Sequence, residues 1–324
     1  MYSQKPKIII ACPTAPGGGP THYASELAKY LPASIVVFNS NLPSVLRHFL
    51  FWLKLVFARA DVIIALDNFS VALPTVLTGK RAIVRVGGDF LWESYVNRTA
   101  ELVPLSKFYN ETRLNLKEKI IKKLTQFIYN RAHKLVFSTD WQREIASRAY
   151  KLDQAKISVI SNYFGEKKEA KIATHKNFLW VGRDIPLKNL KRLEQAFASA
   201  KKINPEIELD IYKNLPQETV WEKLASCYAF ILPSISEVSP NLVLQALQYS
   251  KPVIMTRESG FADMLADTVM LVDPMSETDL CEKIINMSDQ DTYKMYQEKA
   301  HRFNTVHMYQ DIAQEFLQIM DKKI

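Results

Sequence analysis

Arg183, Lys188, Glu237 and Gln245 are the residues whose types and spacing could do chemistry together. Arg183 closes an apolar run in WVGRDIPLKN (residues 180–189), and Lys188 follows five residues later. A planar guanidinium fork and a flexible ammonium suit the two phosphates of a diphosphate. Some fifty residues further on, SISEVSPNLVLQA (residues 234–246) sets Glu237 just ahead of Ser239-Pro240. Serine is a good N-cap and proline a good first helical residue, so a helix is expected to start there. The amides near Asn241, Leu242 and Val243 would then be open to an anion. Gln245, inside the helix, would lean back toward the same end. A carboxylate and an amide beside a diphosphate clamp offer partners for sugar hydroxyls. This describes a nucleotide-sugar site. The plainer alternative is a pair of surface cations, a helix cap and a solvated carboxylate.

Such residues need strand ends to hold them. In the first half, β-branched runs at Lys7–Ala11, Ser34–Phe38, Asp61–Leu66, Arg81–Val86, Lys134–Ser138 and Ile157–Ser161 read as buried strands. Helical patterns lie between them, around 20–31, 42–59, 69–78, 106–131 and 140–150. The second half restarts the alternation, with strands at Asn177–Val181, Glu208–Tyr212, Tyr228–Pro233, Pro252–Thr256 and Val269–Val272. Alternation of this kind implies parallel sheets covered by helices. The expected class is α/β, two Rossmann-like domains facing across a cleft, with ligands at the carboxyl ends of the strands. Residues 1–165 form the first domain and 166–302 the second. The polar stretch 163–176 is the linker, and 303–324 is a last helix expected to pack back toward the first domain.

Bulk properties narrow the classes. At 324 residues the chain suits two domains, each able to bury a core. A hydrophobic content of 48% with 23% charged residues excludes disorder. The three cysteines are scattered with no CxxC pair, which argues against zinc or a disulfide framework and fits a reducing cytosol. No metal or cofactor is expected. The N-terminus MYSQKPKIIIACP reads as a first strand, not a secretory leader. The longest apolar stretch, Val45 to Phe57, is interrupted by Arg47, His48 and Lys54 and is too short to span a bilayer. Residues 1–165 hold 22 Lys and Arg against 11 Asp and Glu, a net +11, whereas 166–324 hold 20 against 23, a net −3. The first half therefore suits an anionic partner.

Three first-half segments carry that further. Pro16-Gly17-Gly18-Gly19-Pro20-Thr21 follows the first strand and precedes a helix, where Gly18 and Gly19 would let backbone approach a ligand. The segment lacks the spacing of a dinucleotide or P-loop motif, and a structural tight turn is the alternative. Asp89, in RVGGDFLWE at a strand end, is a candidate catalytic or acceptor-orienting group, or else a turn or cap residue. Residues 42–59 mix Phe49, Phe51, Trp52 and Phe57 with cations, and 107–134 hold eight Lys and Arg against two acids. Both suit an anionic membrane surface, while a core helix with cations edging into solvent is the alternative for 42–59. Nucleic acid is not expected, because no binding motif accompanies the charge.

Taken in order, these segments resemble the GT-B-fold retaining glycosyltransferases of family 4. The resemblance rests on PGGGPTHYASELA, GRDIPLKN, LPSISEVSPNLVLQAL and KPVIMTRESGFADML followed by VDP, and it covers most of the chain. It implies transfer from a UDP- or GDP-sugar to a glycan or lipid-linked acceptor, with retention, in cell-surface glycoconjugate synthesis on the cytoplasmic face of a membrane. It also implies that Arg183 and Lys188 hold the diphosphate, that Glu237 meets the donor sugar, and that position 245 meets the ribose. Three departures stand out: Gln245 replaces the family's second Glu, RVGGDFLWE lacks a histidine, and the stretch from Tyr212 to Glu218 is short enough to omit a strand and helix. These keep two other readings open, a non-catalytic nucleotide-sugar-binding subunit and a nucleotide-sugar epimerase.

Overall fold

In the computed structural model, which describes residues 6–13, 19–38, 43–66 and 69–321, apolar runs and helical patterns alternate along the whole chain. The chain divides into two compact units. The first comprises residues 1–93, 113–162 and 308–324, and the second comprises 94–112 and 163–307.

The first unit holds β1 (Ile8–Pro13), α1 (Gly19–Leu27), β2 (Ala33–Phe38), α2 (Ser44–Phe57), β3 (Val62–Leu66), α3 (Ala72–Val76) and β4 (Arg81–Val86). Helix α4 (Phe90–Thr99) begins in it, and α5 (Leu105–Glu111) belongs to the second unit. The first unit resumes with α6 (Leu116–Arg131), β5 (Lys134–Phe137), α7 (Asp140–Tyr150) and β6 (Ile157–Val159). Its six strands are all parallel, in the order β2-β1-β3-β4-β5-β6.

The second unit continues with β7 (Lys176–Gly182), α8 (Leu190–Ile203), β8 (Ile207–Lys213), α9 (Gln217–Ser226), β9 (Ala229–Leu232), α10 (Asn241–Gln248) and β10 (Val253–Thr256). It closes with α11 (Ala262–Leu265), β11 (Met270–Val272), α12 (Glu277–Ser288) and α13 (Gln290–Arg302). The chain's last helix, α14 (Tyr309–Asp321), belongs to the first unit. There Tyr309 meets the rings of His22 and Tyr23 edge-on.

The second sheet is also parallel, in the order β11-β10-β9-β7-β8. It has five strands against six, and only Asn214–Pro216 separates β8 from α9, in line with the shortened second domain expected from sequence. Strand β7 shows why such a sheet is buried on both faces. Phe178 and Trp180 enter one core cluster with Leu193, Phe197 and Ile284, while Leu179 and Val181 enter the other with Leu232, Val243 and Leu247. Each fully buried side chain of this size contributes about 1.5–3 kcal/mol. Both sheets reverse direction beside their first strand, since β1 lies between β2 and β3, and β7 lies between β8 and β9. Ligands in open α/β sheets bind outside the strand ends at such a reversal.

Two expectations need correction. The helix expected over 106–131 is two helices, because Asn115 and Glu118 form a reciprocal capping box that starts α6 afresh. Helix α4 lies outside the helices expected from the apolar period, and the cap reading of Asp89 is the one that accounts for it. It starts because the Asp89 carboxylate accepts a hydrogen bond from the Trp92 amide at 2.9 Å. Among the described residues no helix is long and apolar enough to cross a membrane.

Candidate functional site

The second unit gathers most of the residues singled out above at the reversal between β7 and β9. Gly182 ends β7, and a Cβ there would lie 3.1 Å from the Trp180 indole, so glycine lets that buried ring close the strand end. Arg183 follows, exposed. The chain then turns tightly, with the Ile185 amide bonded to the Arg183 carbonyl and the Lys188 amide to the Ile185 carbonyl. Pro186–Lys188 is one 3₁₀ turn. Asp184, beside Arg183, pairs with Lys213 at the end of β8 at 2.7 Å.

Asn189 fixes this loop in place. It adopts the left-handed conformation, φ 56°, which asparagine tolerates better than most side chains. Its buried amide donates to the carbonyls of Pro233 (3.0 Å) and Pro274 (2.8 Å), and its oxygen accepts from Arg192 (3.0 Å). The Ile235 amide in turn bonds to the Leu187 carbonyl. The loop after β7 is thereby stitched to the loop after β9.

The stitching brings Lys188 onto Glu237, Nζ to Oε1 at 2.5 Å, with 20% and 14% of their side-chain surfaces exposed. The two residues lie 49 apart in sequence. A pair so largely withdrawn from water depends on both partners, since removing one strands the other's charge. The backbone of Glu237 is held as well. Its amide bonds to the Glu258 carbonyl at 2.9 Å, and its carbonyl accepts from the Gly260 amide at 3.0 Å.

Helix α10 starts one residue later than the Ser-Pro signature predicts. Pro240 occupies the N-cap with no side-chain cap, and Asn241 is the first helical residue. Of the three amides expected to be open, that of Val243 bonds to the Pro240 carbonyl at 3.0 Å, because the first turn closes on itself. Asn241 is exposed and Leu242 half-buried on that turn. One turn further in, the Gln245 oxygen accepts from the Gln217 amide at 3.1 Å.

The remaining candidates lie in the first unit. Gly18 falls outside the described residues. Gly19 is the first residue of α1, and among the described residues nothing lies within 4 Å of a Cβ built there, so packing does not demand glycine. Asp89 spends one carboxylate oxygen capping α4. Beside it the Glu93 carboxylate folds against Gly88, where a Cβ would come within 2.2 Å of it. Arg85, from the same segment, is structural: it is buried and donates to the Phe137 carbonyl and the Asn162 side chain, both at 2.7 Å. Burial holds its guanidinium below the usual range, and the Tyr23 phenol against it partly offsets that.

The same unit carries the surface singled out for its charge. Val45, Leu46, Phe49, Leu50 and Phe57 are exposed on α2, Val45 by 84%. On α6, Leu116, Ile120, Leu124 and Phe127 make an exposed row at helical spacing, with Lys117, Lys119 and Lys123 exposed around it. Helix α3 packs against both α2 and α6. Trp52 is turned inward, its indole N–H bonded to the Leu77 carbonyl at 3.1 Å.

Sequence reasoning missed Glu258, Ser236, Ser106 and Gln217, whose partners are remote in sequence. Only Asn189 left a local trace, an asparagine directly before a helix. Among the described residues no group of three or more His, Cys, Asp or Glu is placed to hold a metal ion.

Residues 200–304, about a third of the chain, match the family model described as glycosyl transferases group 1. No curated protein matches the sequence. Among solved structures the chain is similar to sucrose-phosphate synthase from Thermosynechococcus elongatus, with TM-score 0.70 and 11% identity over 97% of this chain and 98% of that one. It is similar to Anabaena HepE, solved in complex with UDP and glucose, with TM-score 0.67 and 12% identity over 98% and 99%. It is also similar to WaaG, a glycosyltransferase involved in lipopolysaccharide biosynthesis, with TM-score 0.66 and 15% identity over 97% and 100%. At such identities the likeness is one of fold, and that fold is GT-B: two Rossmann-like domains, each around a parallel sheet.

Proposed function

We propose that this chain is a retaining glycosyltransferase that moves a sugar from a UDP- or GDP-sugar to a glycan or lipid-linked acceptor in cell-surface glycoconjugate synthesis. The observation that carries this reading is the Lys188–Glu237 pair at the strand reversal of the second sheet. The match to group 1 glycosyl transferases over 200–304, which includes Glu237 and Gln245, supports it. The nucleotide and sugar bound by the structurally similar HepE support it too.

In this reading Arg183 and Lys188 neutralise the diphosphate as the bond between it and the anomeric carbon breaks. The acceptor oxygen bonds to that carbon on the same face, and its proton leaves with the departing phosphate. A diphosphate competes with Glu237 for the Lys188 ammonium. Once that ammonium turns to phosphate, the Glu237 carboxylate is free to accept hydrogen bonds from sugar hydroxyls. Asn241 and Leu242 present the α10 start to the anion, Gln245 offers a neutral partner to the ribose, Gly18 and Gly19 are further nucleotide-sugar contacts, and Asp89 is catalytic or orients the acceptor.

The acceptor side works against an anionic membrane from the cytoplasm, docked through residues 42–59 and 107–134. Supporting this are the exposed apolar rows of α2 and α6 and the cations around them.

A thermal-shift and turnover screen of UDP, GDP and their sugars tests the reading. A ligand at ~100 times its dissociation constant stabilises by about 2.7 kcal/mol. Stabilisation with turnover of one donor is the expected result. Stabilisation without turnover would favour a non-catalytic binding subunit, and the absence of both with every donor would overturn the nucleotide-sugar site.

A further inference from the structure

Residues 94–112 leave the first half of the chain to join the second unit, and they end against the loop that holds Glu237. Helix α5 begins after Pro104, which provides no side-chain cap. Its first amide, that of Leu105, instead donates to Ser236 Oγ at 2.9 Å, and the Ser236 hydroxyl donates in turn to the Ile235 carbonyl. One residue on, Ser106 Oγ donates to Glu258 Oε2 at 2.6 Å. Phe108, fully buried against Tyr95, anchors the segment.

These bonds flank Glu237 on both sides. Ser236 is its chain neighbour, and Glu258 supplies the carbonyl that receives the Glu237 amide. Glu258 is fixed in turn by its amide bond to Thr256 Oγ1 at 3.1 Å and by Ser106. Among the described residues the Glu237 carboxylate bonds to Lys188, and its backbone support decides where it points once Lys188 turns away.

We propose that Ser106 is a positioning residue: through Glu258 it sets the backbone of Glu237, and so the placement of the donor sugar rather than the binding of the nucleotide. This rests on the sugar-contacting reading of Glu237. A hydroxyl acting at one remove should affect the reacting geometry strongly and the diphosphate grip weakly, because misplacement of a reacting group is costly even at sub-ångström scale.

The experiment compares the full-length wild type with Ser106→Ala, Ser106→Thr and Glu237→Gln. Amide hydrogen exchange is read at Glu237 and Gly260, and turnover is measured with UDP-glucose, UDP-galactose and GDP-mannose. Ser106→Ala is expected to speed exchange at those two amides about tenfold with no change in β7 or β10. It should lower kcat about tenfold with KM for the donor within twofold, and Ser106→Thr, which keeps the hydroxyl, should restore both. Unchanged exchange at Glu237 and Gly260 overturns the proposal, as does an equal rise in KM or a failure of threonine to rescue. If Glu237→Gln turns over as the wild type does, or no donor is turned over, the sugar-site reading fails instead. The exchange data then still decide whether Ser106 holds Glu237.

Discussion

The two units treat their charged residues in opposite ways. At the β7–β9 reversal of the second unit, the cation Lys188 is paired with an internal partner, Glu237, and its loop is sewn to a neighbouring strand end by Asn189. In the first unit, Lys117, Lys119 and Lys123 stand exposed around an equally exposed apolar row on α6. A preorganised site needs its charges fixed before the reaction, so that no reorganisation is required when charge develops. A docking face needs the reverse, cations free to meet a partner's charge and apolar groups free to insert. Under the proposed function, the contrast would put reaction chemistry in one unit and surface recognition in the other.

The largest test of the contrast is removal of the two cations at the β7 end. Lys188→Ala and Arg183→Ala are each expected to lower kcat by roughly 10²–10³, about 3–4 kcal/mol, by analogy with deleting one donor from an oxyanion hole. The circular dichroism spectrum should stay unchanged. Turnover within threefold of the wild type for both variants would dissociate the clamp from the reaction.

Next in size is the seam. Asn189→Ala takes the Asn189 donor from the Pro233 carbonyl, leaves the Pro274 carbonyl with Arg192 alone, and puts a side chain with no local hydrogen bonds in the left-handed region. The expected loss is about 1–3 kcal/mol of stability, measured by urea denaturation. A loss of turnover under folding conditions should accompany it if the seam holds Lys188 in place. Full activity in a destabilised variant would make Asn189 a purely structural staple.

The first unit's side of the comparison is tested with vesicles. Co-sedimentation should require acidic lipid and fade with salt. Each cation near such a surface contributes about 1 kcal/mol, so Lys122→Glu/Lys123→Glu should weaken binding at least about thirtyfold. Ile120→Ser, a neutral change in the apolar row, should weaken it without altering the salt dependence. Equal binding to neutral and anionic vesicles, or none to either, removes the membrane and leaves a soluble acceptor.

The smallest effect is expected at Gln245. Loss of one neutral hydrogen bond to a ribose corresponds to about 0.5–1.5 kcal/mol. Gln245→Ala should therefore weaken nucleotide binding about two- to tenfold by calorimetry, and Gln245→Glu should be tolerated. No change on Gln245→Ala would leave it as the partner of Gln217 alone.

The amino-acid sequence by itself determined the α/β alternation, the strand ends and the two segments that carry Arg183, Lys188 and Glu237. Those features follow from local rules: β-branched runs, helical periodicity, and polar groups placed just after an apolar strand. Local rules also carry their own errors. The Asn115–Glu118 capping box that splits one expected helix into α5 and α6 was present in the sequence and outweighed by the apolar period around it. The Ser239-Pro240 signature likewise placed the start of α10 one residue too early. Tertiary structure alone decided that Lys188 meets Glu237, that Asn189 bonds to Pro233 and Pro274, and that residues 94–112 support Ser236 and Glu258. Such pairings join residues 44 to 152 positions apart through single polar contacts, from Asn189 to Pro233 at 44 up to Ser106 to Glu258 at 152. No period in the sequence encodes them. They exist because parallel sheet order places remote strand ends side by side, and because a buried polar group must find its partner wherever the fold has put one.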